Sequence, residues 1–232
     1  VSYIVYRIYE KFGDARDVAW VAGVGVLSDH AVAIAGDLFE KIKKVEPRLI
    51  GETKLKEEDL YSYSVIGALA KIFDSARVVE GRVGSALAAR TLVKAKSYQE
   101  ILNASGGDAA KLMAWSDLVR KEFKRLVADF NKKRKIVKGS IIFYEIPSKL
   151  FIKSSLSGYL SQFFADKILV VAQKSGGRLD ISFRRGEKIK TDLHKMAKRA
   201  VAGITGSEGG GHEAASGARI PVKYLSKFLK QL

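Results

Sequence analysis

The hydrophobic pattern of the chain changes at Gly139, and this change constrains the fold more than any other feature. Before it, apolar residues recur mainly at helical spacing. After it, short apolar runs are separated by turns, and residues 178–185 alternate strictly between apolar and polar side chains. The sequence therefore predicts the α/β class, with an all-helical first part and a mixed-sheet second part.

Residues 1–110 are predicted to form a layer of helices. The helix over Ser2–Phe12 is expected to be largely buried. Residues 18–27 are almost wholly apolar and fit a buried strand or a buried helix; Gly23 and Gly25 indicate close packing and favour the helix. Further helices are predicted over 30–45, 60–73, 84–93 and 98–103. A helical layer without a strand suggests that a partner or a missing portion completes it.

A long amphipathic helix over Lys111–Lys135 is predicted to connect two domains. Its exposed face and its last turn are basic, and a basic last turn also complements the helix dipole. The predicted organisation is a helical domain over 1–110, a connecting helix over 111–138 and an α/β domain over 139–232. Within the last domain the pattern predicts strands over 140–146, 167–173, 178–185 and 218–222, and helices over 155–164, 192–201 and 223–232.

The positive charge is confined to the second half of the chain. The formal net charge is +16, yet residues 1–110 hold 15 basic and 15 acidic side chains. Residues 111–153 hold 12 basic against 4 acidic side chains, and residues 154–232 hold 14 against 6. A basic half beside a neutral half suggests a polyanionic partner, such as a nucleic acid, on one side only, although it also serves solubility.

Composition excludes several classes of site. The chain has no cysteine, which excludes disulfides, thiolate metal sites and cysteine nucleophiles. No apolar run reaches the length of a membrane span, and a cytoplasmic protein without a membrane partner is expected. Few Asn and Gln residues beside many Lys, Arg and Glu residues hint at a thermophilic source.

A glycine-rich run over Gly206–Pro221 has two interpretations. Glycine and serine alone are typical of a flexible linker. Alternatively, Gly209, Gly210, Gly211 and His212 form a phosphate cradle, because glycine lets backbone N–H groups approach an anion. The nearby Ser182–Arg184 segment adds a hydroxyl and a guanidinium and favours the cradle.

These motifs resemble a known family. The hairpin with Asp180–Arg184, followed by a helix and Gly209–Gly217, is similar to the DHH-associated C-terminal domain of the DHH phosphoesterase superfamily, which includes RecJ single-strand exonucleases. The apolar run that ends at Asp29 resembles the last metal-ligand motif of the superfamily's catalytic domain. Asp29 and His30 taken alone also suit a helix cap.

The departures from the superfamily pattern imply a protein without catalytic activity. Asp29-His30-Ala31 is not the Asp-His-His motif, and one aspartate cannot hold a two-metal cluster. The resemblance therefore implies a truncated archaeal RecJ-like replication factor with no cofactor, in which Asp29 is a remnant ligand position. Its helical part would be a remnant of the DHH domain, and its partners would be GINS and the MCM helicase. Single-stranded DNA would contact Ser182, Arg184, Arg185, Gly209, Gly210, Gly211, His212, Lys132, Lys133 and Arg134.

Two other functions stay open. The chain is a single-strand exonuclease or oligonucleotide phosphoesterase if it is a fragment, or if a partner completes the metal site. It is an RNA-binding module if the DHH-associated domain acts here as it does beside tRNA-editing enzymes.

Overall fold

A computed structural model describes all 232 residues, which divide into two compact units over 1–119 and 120–232. The boundary lies within one long helix, between the predicted domain limits of 110 and 139. The predicted fold class is confirmed: the first unit is helical, and the second is a mixed six-stranded sheet with helices.

Unit 1 is built around an almost wholly apolar helix, α2. Its Leu27 is fully buried, and it packs against α1, α3 and α6. A Cβ on Gly23 would lie 2.6 Å from side-chain atoms of both Ile42 and Ile66, so this glycine permits the close packing. The helices are α1 Ser2–Tyr9, α2 Ala19–Ser28, α3 Gly36–Val45, α4 Pro47–Ile50, α5 Glu57–Tyr63, α6 Val65–Lys94, α7 Tyr98–Leu102 and α8 Gly107–Lys133. None of them combines the length and the apolarity that crossing a membrane requires.

The expectation that the first helix is largely buried is wrong. Only Tyr6 of α1 is buried, while Tyr3 donates a hydrogen bond of 2.6 Å to the Asp37 carboxylate on α3. Apolar residues occur around most of this short helix, and the rest of unit 1 covers one side of it. The uncovered side of α1, together with the turn that follows it, exposes Ile4, Val5, Ile8, Tyr9 and Phe12, which we call the α1 stripe.

Helix α6 contains a sharp break at Gly81. The backbone there has φ of +55°, a conformation that glycine adopts without steric cost. The two predicted helices over 60–73 and 84–93 lie on either side of this break, although α5 and α6 divide the first of them at Ser64.

Unit 2 contains one six-stranded sheet with the strand order β1-β2-β3-β4-β6-β5. The strands are β1 Lys135–Lys138, β2 Ile141–Ile146, β3 Ile168–Ser175, β4 Arg178–Arg185, β5 Glu208–Gly211 and β6 Ala215–Pro221. β2 and β3 are parallel, and every other neighbouring pair is antiparallel. The parallel pair is connected through α9 Lys153–Ser161, and α10 Leu193–Ala200 and α11 Leu225–Gln231 complete the unit.

Helices cover the two faces of this sheet unequally. On one face α10 and α11 bury a core in which Phe183 of β4 packs edge-to-face on Phe228 at 6.1 Å. On the other face α9 packs on β3 and β4, and Phe130 of α8 packs on Tyr144 of β2 at 5.3 Å. The outer strands β6 and β5 are therefore left without a helix on this second face.

Two predictions of local structure are wrong. Lys135 was expected to end the long helix, but it begins β1, because the chain turns at Gly139 (φ +49°) and pairs with β2. No strand was predicted over residues 208–211, which were interpreted as part of a linker or of a phosphate cradle, but they form β5, the edge strand, through pairing with β6. Both strands are fixed by pairing with a neighbour rather than by local propensity.

Candidate nucleic-acid interface

The polar face of β4 begins the candidate site. Alternation along the strand places Asp180, Ser182 and Arg184 on the face opposite the core that α10 covers. Their partners across the antiparallel register are Arg219, Gly217 and Ala215 of β6. The polar side chains of β4 therefore border a surface made largely of small residues.

The two outer strands supply a floor that is almost free of side chains. Gly210 of β5 pairs with Gly217 of β6, which pairs with Ser182 of β4. Above this floor lies an open cleft of about 420 Å³ beside the first turn of α9. We call this cleft the glycine trough; the side chains and glycines that line it include Lys153, Asp180, Glu208, Gly210, Gly217 and Arg219.

One end of the trough holds an ion pair. Nε of Arg219 lies 2.7 Å from Oδ1 of Asp180, across the β4–β6 pair. Lys153 of α9 is near both of them; burial lowers its pKa, Asp180 opposes that shift, and Arg184 and Arg219 add to it. Asp180 is thus paired with Arg219 and lies near a second cation, Lys153, without forming a direct ion pair with it.

The other end of the trough approaches Arg184, whose guanidinium is half-buried. Its Nη1 donates a hydrogen bond of 3.1 Å to the carbonyl of its own neighbour, Phe183. Burial lowers the pKa of Arg184. Burial has removed part of the hydration of both Arg184 and Lys153. Neither cation forms a direct ion pair with a carboxylate in return.

Ser182 is on the predicted face but is covered. Its hydroxyl is buried beneath α9 and shares a hydrogen bond of 2.9 Å with the hydroxyl of Ser157. In this arrangement the Ser182 hydroxyl holds α9 on the sheet.

The three successive glycines have different environments. A Cβ on Gly209 would lie 2.8 Å from the carbonyl oxygen of Ala197, so this glycine lets β5 pack closely on α10. Gly211 has φ of +146°, and its N–H lies 3.1 Å from Nδ1 of His194. Gly209 and Gly210 both border the trough, and Gly210 pairs with Gly217 in its floor.

Arg185 and His212 lie outside the floor. Arg185 follows Arg184 and therefore points to the opposite face of β4, where its Nη1 donates to the carbonyl of Thr191 at 2.9 Å. His212 is exposed in the turn between β5 and β6, near the end of β4 where Arg184 pairs with Ala215.

The basic tip of α8 is far from the glycine hairpin within the sheet. Lys132, Lys133 and Arg134 directly precede β1, at one edge of the sheet, whereas β5 forms the other edge. Five strand spacings of about 4.8 Å each correspond to roughly 24 Å. Lys133 pairs with Asp129 at 2.8 Å. The structure therefore does not bring these two predicted contact regions together.

Asp29 is exposed at the C-terminal end of α2 in unit 1. The adjacent His30 places its Nδ1 2.9 Å from the Glu57 carboxylate, and its backbone has φ of +53°. No group of three or more His, Asp or Glu side chains in the chain is arranged to hold a metal ion.

Sequence reasoning missed Lys153, Asp180 and Arg219 as members of the site. One signal could have indicated Lys153: it lies in the first turn of α9, where a cation opposes the helix dipole. A lysine that is unfavourable for the helix is a candidate for binding an anion.

The region that contains the trough matches a known domain family. Residues 152–232 match the DHHA1 domain family. The DHHA1 match begins one residue before Lys153 and includes every residue that lines the trough. It supports a relation to the DHH superfamily. No curated protein matches the sequence.

Solved structures share the fold. RecJ exonuclease bound to manganese matches with a TM-score of 0.65 and 13% identity, over 93% of this chain and 54% of that one. RecJ from Thermus thermophilus in complex with Mn²⁺ gives 0.63 and 13%, over 93% and 32%. The DHH domain of a member of a ribosomal protein family gives 0.52 and 18%, over 94% and 48%. This chain thus spans about half or less of the length of these structures.

The different environments of the glycines predict different effects of adding a methyl group. Gly209→Ala should destabilise the chain by about 1–3 kcal/mol, because the new Cβ overlaps a backbone oxygen of α10. Gly210→Ala should cost less, since its Cβ would come no closer than 3.5 Å, to the His194 ring. Urea denaturation of the two variants measures the difference, and equal losses would contradict these roles.

Proposed function

We propose that this chain binds single-stranded nucleic acid, with single-stranded DNA as its physiological ligand, and that the phosphate backbone lies in the glycine trough. The observation that carries the proposal is the pair of half-buried cations, Lys153 and Arg184, beside a floor of glycine. Each has lost part of its hydration without forming its own ion pair. A phosphate placed between them would restore a charge-assisted partner to both.

The shape of the trough supports a backbone ligand. Gly210 and Gly217 leave room for an anion to approach the sheet. Contacts of this kind position a strand without reading its sequence. Binding is therefore expected to tolerate many sequences and to weaken steeply as salt is added.

The first prediction concerns the two cations. Arg184→Ala and Lys153→Met should each weaken binding of an oligothymidylate by about tenfold or more, the value of a charge-assisted hydrogen bond of about 1.5 kcal/mol. Each should also reduce the slope of log K against log salt by about 0.7, as expected for one lost phosphate on a single strand. Fluorescence anisotropy over a salt series measures both quantities.

Arg185→Ala is the matched control, because it removes the same charge from the opposite face of β4. It should change affinity and slope much less than Arg184→Ala. If Arg185→Ala weakened binding as much as Arg184→Ala, the trough would not be the binding site. The same titrations with RNA distinguish the RNA-binding alternative.

We further propose that the chain is a non-catalytic, RecJ-like DNA replication factor. Support comes from the lack of a group of three or more carboxylate and histidine side chains, around Asp29 or elsewhere in the chain, that could hold a metal ion. The purified chain is expected not to hydrolyse single-stranded DNA with Mn²⁺. Hydrolysis that disappears in Asp29→Ala would overturn this proposal and favour the exonuclease alternative, whereas hydrolysis unchanged in that variant would indicate a contaminant.

The proposed partners are GINS and the MCM helicase, as the sequence resemblance implies. Unit 1 has no excess charge and exposes the α1 stripe, an apolar surface of the kind that a partner covers. We propose that the α1 stripe is the docking surface for GINS.

Charged residues in the α1 stripe should disrupt this association. Ile4→Glu with Ile8→Glu is expected to weaken binding to purified archaeal GINS by about tenfold or more, because docking would bury unpaired carboxylates. Val93→Glu is the control, since Val93 is also an exposed aliphatic residue, on α6. Isothermal titration measures the affinities. Equal binding by all three proteins would contradict docking at the stripe.

A further inference from the structure

The large apolar side chains that unit 2 exposes are mostly aromatic. They are Ile136, Phe151, Tyr159 and Phe163, so three of the four are aromatic. In unit 1 only three of thirteen exposed large apolar residues are aromatic, and the α1 stripe is mainly aliphatic. The exposed rings of unit 2 offer faces on which a flat, π-bearing ligand can stack.

Two of these rings belong to one ordered group, which we call the aromatic cluster: Phe123, Tyr159 and Phe163. Tyr159 packs edge-to-face on Phe123 and on Phe163, with ring centroids 5.1 Å apart in each pair. Tyr159 remains 40% exposed and Phe163 62% exposed. The rings are therefore held in fixed orientations and are still open to a ligand.

The aromatic cluster lies next to the Arg184 end of the glycine trough. The chain that follows Arg184 and Arg185 is bonded to the chain that follows Phe163. Gly186 N–H donates to the carbonyl of Lys167, and Lys188 N–H donates to that of Ala165, both at 2.9 Å. A nucleic-acid strand that leaves the trough past Arg184 would therefore approach the chain segment that carries Phe163.

The basic tip of α8 borders the cluster on another side. The guanidinium of Arg134 lies 5.5 Å from the centre of the Phe164 ring and 5.2 Å from that of Phe130. Phe164 directly follows Phe163 of the cluster. The chain segment that carries Phe163 and Phe164 is thus flanked by two cationic regions, the end of β4 at Arg184 and the tip of α8 at Arg134.

We propose that Phe163 and Tyr159 stack on unpaired bases of a single strand whose backbone lies in the glycine trough. This inference rests on the proposed nucleic-acid binding. Stacking on an aromatic ring is insensitive to base identity, because every base has a π-face. Positive charge on both sides favours a polyanion over an apolar protein partner. The arrangement selects single strands, since the bases of a duplex are already stacked on each other.

The experiment separates base contacts from backbone contacts. Anisotropy titrations compare an oligothymidylate with the same oligomer in which abasic residues replace the thymidines. Phe163→Leu should weaken binding of the base-bearing strand by about 5- to 150-fold, the range for one stacked base. It should leave binding of the abasic strand unchanged. Phe163→Trp, which keeps an aromatic face, should retain binding of both.

The controls distinguish the two proposals. Arg184→Ala should weaken binding of both strands, because it removes a phosphate contact. Tyr63→Leu removes an exposed aromatic residue of unit 1 and should change neither. If Phe163→Leu weakened binding of both nucleic-acid strands equally or of neither, the stacking role would be wrong. If this variant then lost binding to a partner protein, the aromatic cluster would be a protein-docking surface. If the unsubstituted chain bound neither strand at low salt, the proposed function itself would fail.

Discussion

The antiparallel pairing of β4 with β3 and β6 is the constraint on which the rest of unit 2 depends. Alternation along β4 sends Phe183 into the core and Arg184 to the opposite face. A shift of one residue in this register would bury the guanidinium and expose the ring, at a large cost in free energy. The same hydrogen bonds that close the core therefore also fix where the charged side chains of the trough lie. The stability of unit 2 and the proposed binding of nucleic acid thus depend on the same pairing register of β4.

The elements that could be predicted from the sequence are those with a strong local pattern. β4 has the predicted bounds, 178–185, because strict alternation follows a Gly-Gly turn. The buried element predicted over residues 18–27, with a helix favoured over a strand, is the helix α2, Ala19–Ser28. In contrast, β1 and β5 have weak local patterns and exist through pairing with β2 and β6. The exposure of α1 could not be predicted either, because periodicity identifies an apolar face but not what covers it.

The candidate site could be predicted only in part, for a similar reason. Sequence proximity indicated Arg184 and Gly210, which both border the trough. It also grouped Arg185 with Arg184, although neighbouring residues of a strand face opposite ways. Lys153 and Arg219 reach the trough from a helix and from a strand that are distant in sequence, and only the folded sheet brings them together. The glycine run predicted a cradle, but its first and third glycines have packing and turn roles that a linear motif does not reveal.

The two ends of the glycine trough differ in charge. At one end, the negative charges of Asp180 and the exposed Glu208 offset the positive charges of Arg219 and Lys153. At the other end, Arg184 has no carboxylate partner, and the turn that carries His212 adds a further donor. A phosphate bound as proposed would therefore be attracted more strongly towards the Arg184 end. A nucleic-acid strand held in this way would be brought towards the part of unit 2 in which Phe163 is exposed. Backbone attraction and base stacking would then act on consecutive nucleotides, and each would increase the effective concentration for the other.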